Sequence, residues 1–176
     1  GFLGSGKTTL LRRIAEAHPE KHLVFLVNEF APVDIDGDTL SRAQVPTHSV
    51  VGGSLFCECK SADFLLSLEK EILPYHREQP IDTLFIETSG IANPGSMGEL
   101  MKSTGLASDF SVEEIISVVA PKSFRKLIGN LPTIEAQLRA SDRIVINKTD
   151  TVEAKELETV EAAIAELNPS ARIIPC

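Results

Sequence analysis

The first eight residues read Gly-Phe-Leu-Gly-Ser-Gly-Lys-Thr, with glycines at positions 1, 4 and 6 followed directly by a lysine and a threonine. Few short runs constrain a fold so tightly. Gly1, Gly4 and Gly6 let the backbone turn until its N–H groups converge, and a side chain at these positions would block a close approach. Converging amides next to the Lys7 ammonium suit a multiply charged anion such as a phosphate chain. Thr8 adds a hydroxyl of the kind that meets Mg²⁺. Leu10, Leu11, Ile14 and Ala17 recur behind the loop at helical spacing, so the helix presents its positive end to the same anion. The candidate phosphate-binding residues are therefore Gly1, Gly4, Ser5, Gly6, Lys7, Thr8 and Thr9. A strand has to feed such a loop. None precedes Gly1 and there is no initiator Met, so the expectation is a fragment of a longer protein whose first, central strand is absent.

The loop makes a nucleotide the expected ligand, and composition narrows the rest. The chain has 176 residues, enough for one domain with a substantial core, and 43% of them are hydrophobic. Its 17 basic and 25 acidic residues leave a net charge of −8, which argues against a nucleic-acid footprint. No apolar run is long enough to span a membrane. Three cysteines do not make a disulfide framework. A nucleotide-binding loop implies an intracellular nucleotide pool, so reduced thiols and a cytoplasmic location are expected.

Strands and helices alternate along the chain. Strands are expected at His22–Asn28, Thr47–Val51, Ile81–Ile86, Ile115–Ala120, Arg143–Ile146 and Ala171–Ile174. The first is a continuous apolar run, as in a strand buried on both faces. A helix is expected over Ser61–Leu73, ended by Pro74, and another over Glu153–Leu167 with Leu157, Val160, Ile164 and Leu167 inward. Leu73–Pro80 and Asn93–Ser108 read as loops. The fold class is α/β: a P-loop NTPase with a mainly parallel sheet and helices on both faces.

Three further stretches carry chemistry. Leu84-Phe85-Ile86 runs into Glu87-Thr88-Ser89-Gly90, an apolar strand that delivers a carboxylate and then a glycine. Glu87 is placed to act on Mg²⁺, directly or through water, and the Gly90 N–H to meet a γ-phosphate. Lys7, Glu87 and Gly90 are thus the candidate catalytic groups. Asn147-Lys148-Thr149-Asp150 closes another strand. The Asp150 carboxylate can accept hydrogen bonds from guanine N1–H and the 2-amino group, which adenine lacks, and a site built on such bonds discriminates strongly. The Lys148 stem can lie along the base, and Asn147 can brace the loop. An aspartate capping a following helix would look the same. Cys57-Glu58-Cys59-Lys60 places two thiols where they could share one soft metal ion, or could simply be core thiols. Glu29 (at the end of the first strand), Glu58 and His48 are the sequence-near candidates to complete that ion's shell.

Taken together, these stretches resemble the CobW-like GTPases, a group that includes the urease and hydrogenase nickel-insertion GTPases. The resemblance rests on residues 1–11, Val-Asn-Glu-Phe at 27–30, Glu-Thr-Ser-Gly-Ile-Ala-Asn-Pro at 87–94, Ser-Asp-Arg-Ile-Val-Ile-Asn-Lys-Thr-Asp at 141–150, and Leu167-Asn168-Pro169. It implies a GTPase domain over residues 1–176 that couples nucleotide state to holding or delivering a metal, zinc or cobalt, for a client metalloprotein. A smaller C-terminal domain would then be absent here. Two stretches depart from the pattern. Phe56-Cys57-Glu58-Cys59-Lys60 stands where the family resembles Gly-Cys-x-Cys-Cys, and Ala31-Pro32 stands where Gly-Glu is expected after Asn-Glu-Phe.

The expected protein is a Mg²⁺-dependent GTPase. No arginine in the sequence is an obvious transition-state partner, so intrinsic turnover should be slow, with a homodimer or the client completing the site. The competing expectation is a nucleotide-gated protein-interaction switch without metal traffic.

Overall fold

The computed structural model describes residues 4–29, 47–51, 61–87 and 97–176. These fall into two compact units, residues 7–89 and residues 1–6 with 90–176.

In the first unit, α1 (Lys7–Ala17) leads to β1 (Leu23–Glu29), with β2 (Thr47–Val51) and β3 (Thr83–Glu87) on either side of it, all parallel. Leu23, Val24, Phe25 and Leu26 are all buried, as a central parallel strand requires. Leu11, Ile14 and Ala15 of α1 pack with Leu23, Phe25 and Phe85, and the Phe25 and Phe85 rings stack with centroids 5.2 Å apart. That packing holds the first helix on the strand pair β1–β3.

The helix expected to stop at Pro74 does not stop there. It runs as α2 (Ser61–Ser67), a π turn (Leu68–Ile72) and α3 (Leu73–Glu78). Proline lacks an N–H and its ring crowds the carbonyl four residues back. The wider turn absorbs this: the Leu73 N–H reaches the Leu68 oxygen, five residues back. Phe64, Leu68 and Ile72 form one fully buried stripe that carries the helix through the proline. Residues 73–78 are thus helical rather than loop. Their end is tied to the start of β1, where His22 Nε2 lies 3.1 Å from Tyr75 Oη and Nδ1 lies 2.7 Å from the Pro80 oxygen.

The second expected loop, Asn93–Ser108, also contains structure. Here α4 (Met97–Ser103) is followed by a 3₁₀ turn at Leu106–Ser108. Met101 and Leu106 are buried, and Gly105 sits at φ 79° between them, a left-handed stop that suits glycine. Two buried apolar anchors were hidden in a stretch whose Gly and Ser content reads as loop.

The second unit is built on β4 (Ile116–Val119), β5 (Arg143–Ile146) and β6 (Arg172–Pro175), parallel and in that order. Between β4 and β5 lie α5 (Pro121–Leu127) and α6 (Pro132–Arg139), and α7 (Ala154–Leu167) connects β5 to β6. Each proline sits in a first helical turn, where no N–H is needed. Val119, Phe124, Ile134, Leu138, Ile144, Ile146, Val160 and Ile164 form the core, with Leu157 and Leu167 packed against it, the inward face expected for α7. An aspartate guards the start of one strand in each unit. Asp82 accepts the His22 N–H at 2.7 Å and Asp142 the Ile115 N–H at 2.8 Å.

Asn168 locks this unit. It is buried, and its Nδ2 donates to the oxygens of Leu138 (2.7 Å) and Ser141 (2.9 Å), while its Oδ1 accepts from Ser170 Oγ at 2.8 Å. Removing the amide leaves the buried Ser141 carbonyl without its donor and takes one donor from the Leu138 carbonyl, which keeps the Ser141 N–H at 3.2 Å, so Asn168→Ala should lower the unfolding free energy by about 1–3 kcal/mol. Urea titration checks this, and a loss under about 0.5 kcal/mol would refute it.

Candidate nucleotide-binding residues

Among the described residues, the expected site residues fall into two groups, one in each unit. Gly6 and Lys7, which are successive in sequence, belong to different groups.

In the second unit the Asn147–Asp150 turn is tied to the glycine loop. The Asn147 N–H extends the β4–β5 ladder to the Val119 oxygen at 2.8 Å, so the strand end sets its position. Its Nδ2 then donates to the Ser5 oxygen at 2.9 Å, and its Oδ1 accepts the Lys148 N–H at 2.9 Å. Lys148 takes the left-handed conformation, φ 63°, and its Nζ donates to the Gly4 oxygen at 2.7 Å. Gly4 and Gly6 are left-handed as well, at φ 71° and 101°. A Cβ on Gly6 would run into Asn147 Nδ2. Ser5 between them is buried. Asn147 is thus hydrogen-bonded both to the glycine loop and to the residue that follows it.

Asp150 lies in a 3₁₀ turn, Thr149–Thr151, and is exposed. The next helix begins at Ala154 and is flanked by Glu153. Asp150 is not used as its cap, and among the described residues its carboxylate has no partner. A carboxylate not engaged elsewhere has the acceptor capacity for two neighbouring N–H groups. Sequence reasoning missed Thr149 and Cys176. Thr149 donates to the main-chain oxygen of Cys176 from its N–H (3.2 Å) and its Oγ1 (2.7 Å). No local signal shows this, because the partner lies 27 residues away.

In the first unit Lys7 begins α1 and Glu87 ends β3, and Lys7 Nζ lies 3.6 Å from Glu87 Oε1 with both side chains largely buried. An ammonium and a carboxylate placed together at a strand end form a pair that an incoming anion can divide, drawing the ammonium and leaving the carboxylate for a cation. Thr8, half-buried, and Thr9, exposed, follow in the first turn of α1. Oxygen donors of this kind, a hydroxyl and a carboxylate, fit the hard Mg²⁺ ion.

Gly1, Gly90, Cys57 and Cys59 lie outside the described residues. Glu29 is the last residue of β1, paired with Val51, and its side chain lies outside as well. Among the described residues no three His, Cys, Asp or Glu side chains gather as a metal site, and no helix is long and apolar enough to cross a membrane.

Parallel strands joined by helices, a left-handed glycine turn before α1 and an Asn-Lys-Thr-Asp turn after β5 mark the P-loop GTPase class of nucleotide-binding domains. The family model "CobW/HypB/UreG, nucleotide-binding domain" matches residues 1–175. The chain belongs to that family. It is 31% identical over 185 aligned positions to zinc-regulated GTPase metalloprotein activator 1 of Schizosaccharomyces pombe, covering 99% of this chain and 43% of the relative. It is 28% identical to the zinc chaperone CobW of Pseudomonas aeruginosa, covering 97% and 53%. The chain thus spans about half the length of these relatives. The crystal structure of Zn(II)-bound YjiA GTPase from Escherichia coli matches with a TM-score of 0.65 and 26% identity, over 98% of this chain and 54% of that one. The hydrogenase maturation factor HypB from Archaeoglobus fulgidus shares the fold, with a TM-score of 0.67 and 22% identity over 100% and 77%.

The glycine loop yields a direct test. Gly6→Ala adds a Cβ against Asn147 at a φ that L-residues avoid, a strain of about 1–3 kcal/mol. The variant should bind GTP at least about tenfold more weakly and melt at a lower temperature. Unchanged affinity in a nucleotide titration would show that the close approach is not needed.

Proposed function

We propose that residues 1–176 form one cytoplasmic GTPase domain whose nucleotide state governs how a transition metal is held or passed to a client protein. The observation that carries the nucleotide half is the Asn147–Asp150 turn. Its first two side chains are bonded to the loop carbonyls of Ser5 and Gly4, while Asp150 is exposed and not used as a helix cap.

In this reading GTP binds with its base at Asp150 and its phosphates at the glycine loop. The loop amides and Lys7 take up the phosphate charge. Thr8 and Glu87 would hold Mg²⁺, which when bound neutralises charge on the β- and γ-phosphates. Arrival of the phosphates separates Lys7 from Glu87. Water then attacks the γ-phosphorus in line, the bond to the bridging oxygen breaks, and GDP and inorganic phosphate leave. Glu87 would orient the attacking water, and the Gly90 N–H would meet the γ-phosphate. A second copy of the chain or the client would supply the remaining charge, so intrinsic turnover is slow.

The metal half rests on Cys57 and Cys59 and on kinship with proteins named zinc chaperones. Two thiolates supply half of a tetrahedral zinc shell, and Glu29, Glu58 and His48 are sequence-near candidates for the rest. Lys60, where the family pattern has a third cysteine, repels a cation and weakens the site.

Two measurements follow. Glu87→Gln should retain GTP within about threefold but lose about 10²-fold or more in kcat, since a group acting only in the transition state lowers turnover rather than affinity. Unaltered turnover would move the role to another carboxylate, and equal affinity of the parent for ATP and GTP would refute the base assignment. For the metal, elemental analysis of the reduced, GTP-loaded protein after zinc dialysis should find one ion per chain, absent from the Cys57→Ser, Cys59→Ser double variant. A stoichiometry near zero would leave a nucleotide-gated interaction switch instead.

A further inference from the structure

We infer that Thr149, the third residue of the Asn-Lys-Thr-Asp turn, is a positioning residue for guanine recognition. It sets the angle of Asp150 by fastening the turn to the end of β6. The inference rests on the reading of Asp150 as the base-recognising carboxylate.

Asp150 sits in a single 3₁₀ turn, and one such turn has little rigidity of its own. Discrimination between bases requires its carboxylate to meet two N–H groups at once, a demand on angle as well as distance. The turn is held at its start, where Lys148 is left-handed and bonded to Gly4. Thr151 closes it internally, its N–H (3.1 Å) and Oγ1 (2.7 Å) both donating to the Lys148 oxygen. Neither contact stops the turn from swinging about Lys148. Thr149 does, because its N–H and Oγ1 converge on one main-chain oxygen, that of Cys176, at 3.2 and 2.7 Å. Cys176 is itself anchored, its N–H donating to the Ile146 oxygen at 2.8 Å. The residue just before Asp150 is therefore referenced to the β5–β6 ladder, and Asp150 inherits that reference. The hydroxyl contributes what the main chain alone cannot, a second bond that removes rotation about the first.

The test compares GTP with inosine triphosphate, which lacks only the 2-amino group. In the parent, loss of one charge-assisted bond should weaken the inosine nucleotide by at least about tenfold. Thr149→Val keeps the shape and the N–H but removes the hydroxyl. It should weaken GTP about fivefold and leave the inosine nucleotide nearly unchanged, so that the GTP preference shrinks about fivefold. Thr149→Ser should restore the preference. If the valine variant does not fold, Thr149→Ala reads the same ratio. A role in stability alone would weaken both nucleotides equally, and that result, or a serine variant that behaves like valine, overturns the inference. A parent that does not prefer GTP overturns the Asp150 reading, and this inference with it.

Discussion

The carboxamide of Asn147 is the contact on which the second unit's functional geometry depends. It needs both a donor and an acceptor, because Nδ2 holds the Ser5 carbonyl and Oδ1 holds the Lys148 N–H. Aspartate would lack the donor, and glutamine would need an extra methylene of room where the Asn147 side chain already fills the space of a Gly6 Cβ. The amide is in turn fixed by the main-chain bond from Asn147 to Val119. Order therefore passes from the β4–β5 ladder, through the Asn147 and Lys148 side chains, to the glycine loop. Gly6 is glycine partly for the sake of this amide, since its missing Cβ is the space the amide occupies.

The first unit relies on a different force. Lys7 and Glu87 are opposite charges with little exposure, and such pairs contribute little to stability because desolvation offsets attraction. Their value lies in being divisible. In the proposed reading, a ligand that brings both anionic and cationic groups would exchange each partner for a better one. The stacked Phe25 and Phe85 and the burial of Leu23–Leu26 hold β1 and β3 together.

Much of this was legible in the chain. Glycines 4 and 6, the lysine after them and the Asn-Lys-Thr-Asp run each demand a narrow chemistry, and the buried strands announce themselves as unbroken apolar runs. The helix through Pro74 was not legible, because a proline's local rule was overridden by the stripe Phe64, Leu68 and Ile72, which is worth more buried than the helix loses at one turn. The elements within 97–108 were hidden for a similar reason. Burial of Met101 and Leu106 decides them, and Gly and Ser content does not report burial.

What the sequence determined by itself is therefore the chemistry: residue types capable of gripping a phosphate chain, a base and a hard cation, and the alternation of strand and helix that carries them. Those are properties of side chains and of local spacing. The tertiary structure decided which carbonyls Asn147 and Lys148 hold, that Asp150 is left exposed and uncapped, and that Thr149 reaches Cys176. These join residues 27 to 144 positions apart, and only the strand ladders, which fix register across such distances, bring them within hydrogen-bonding range.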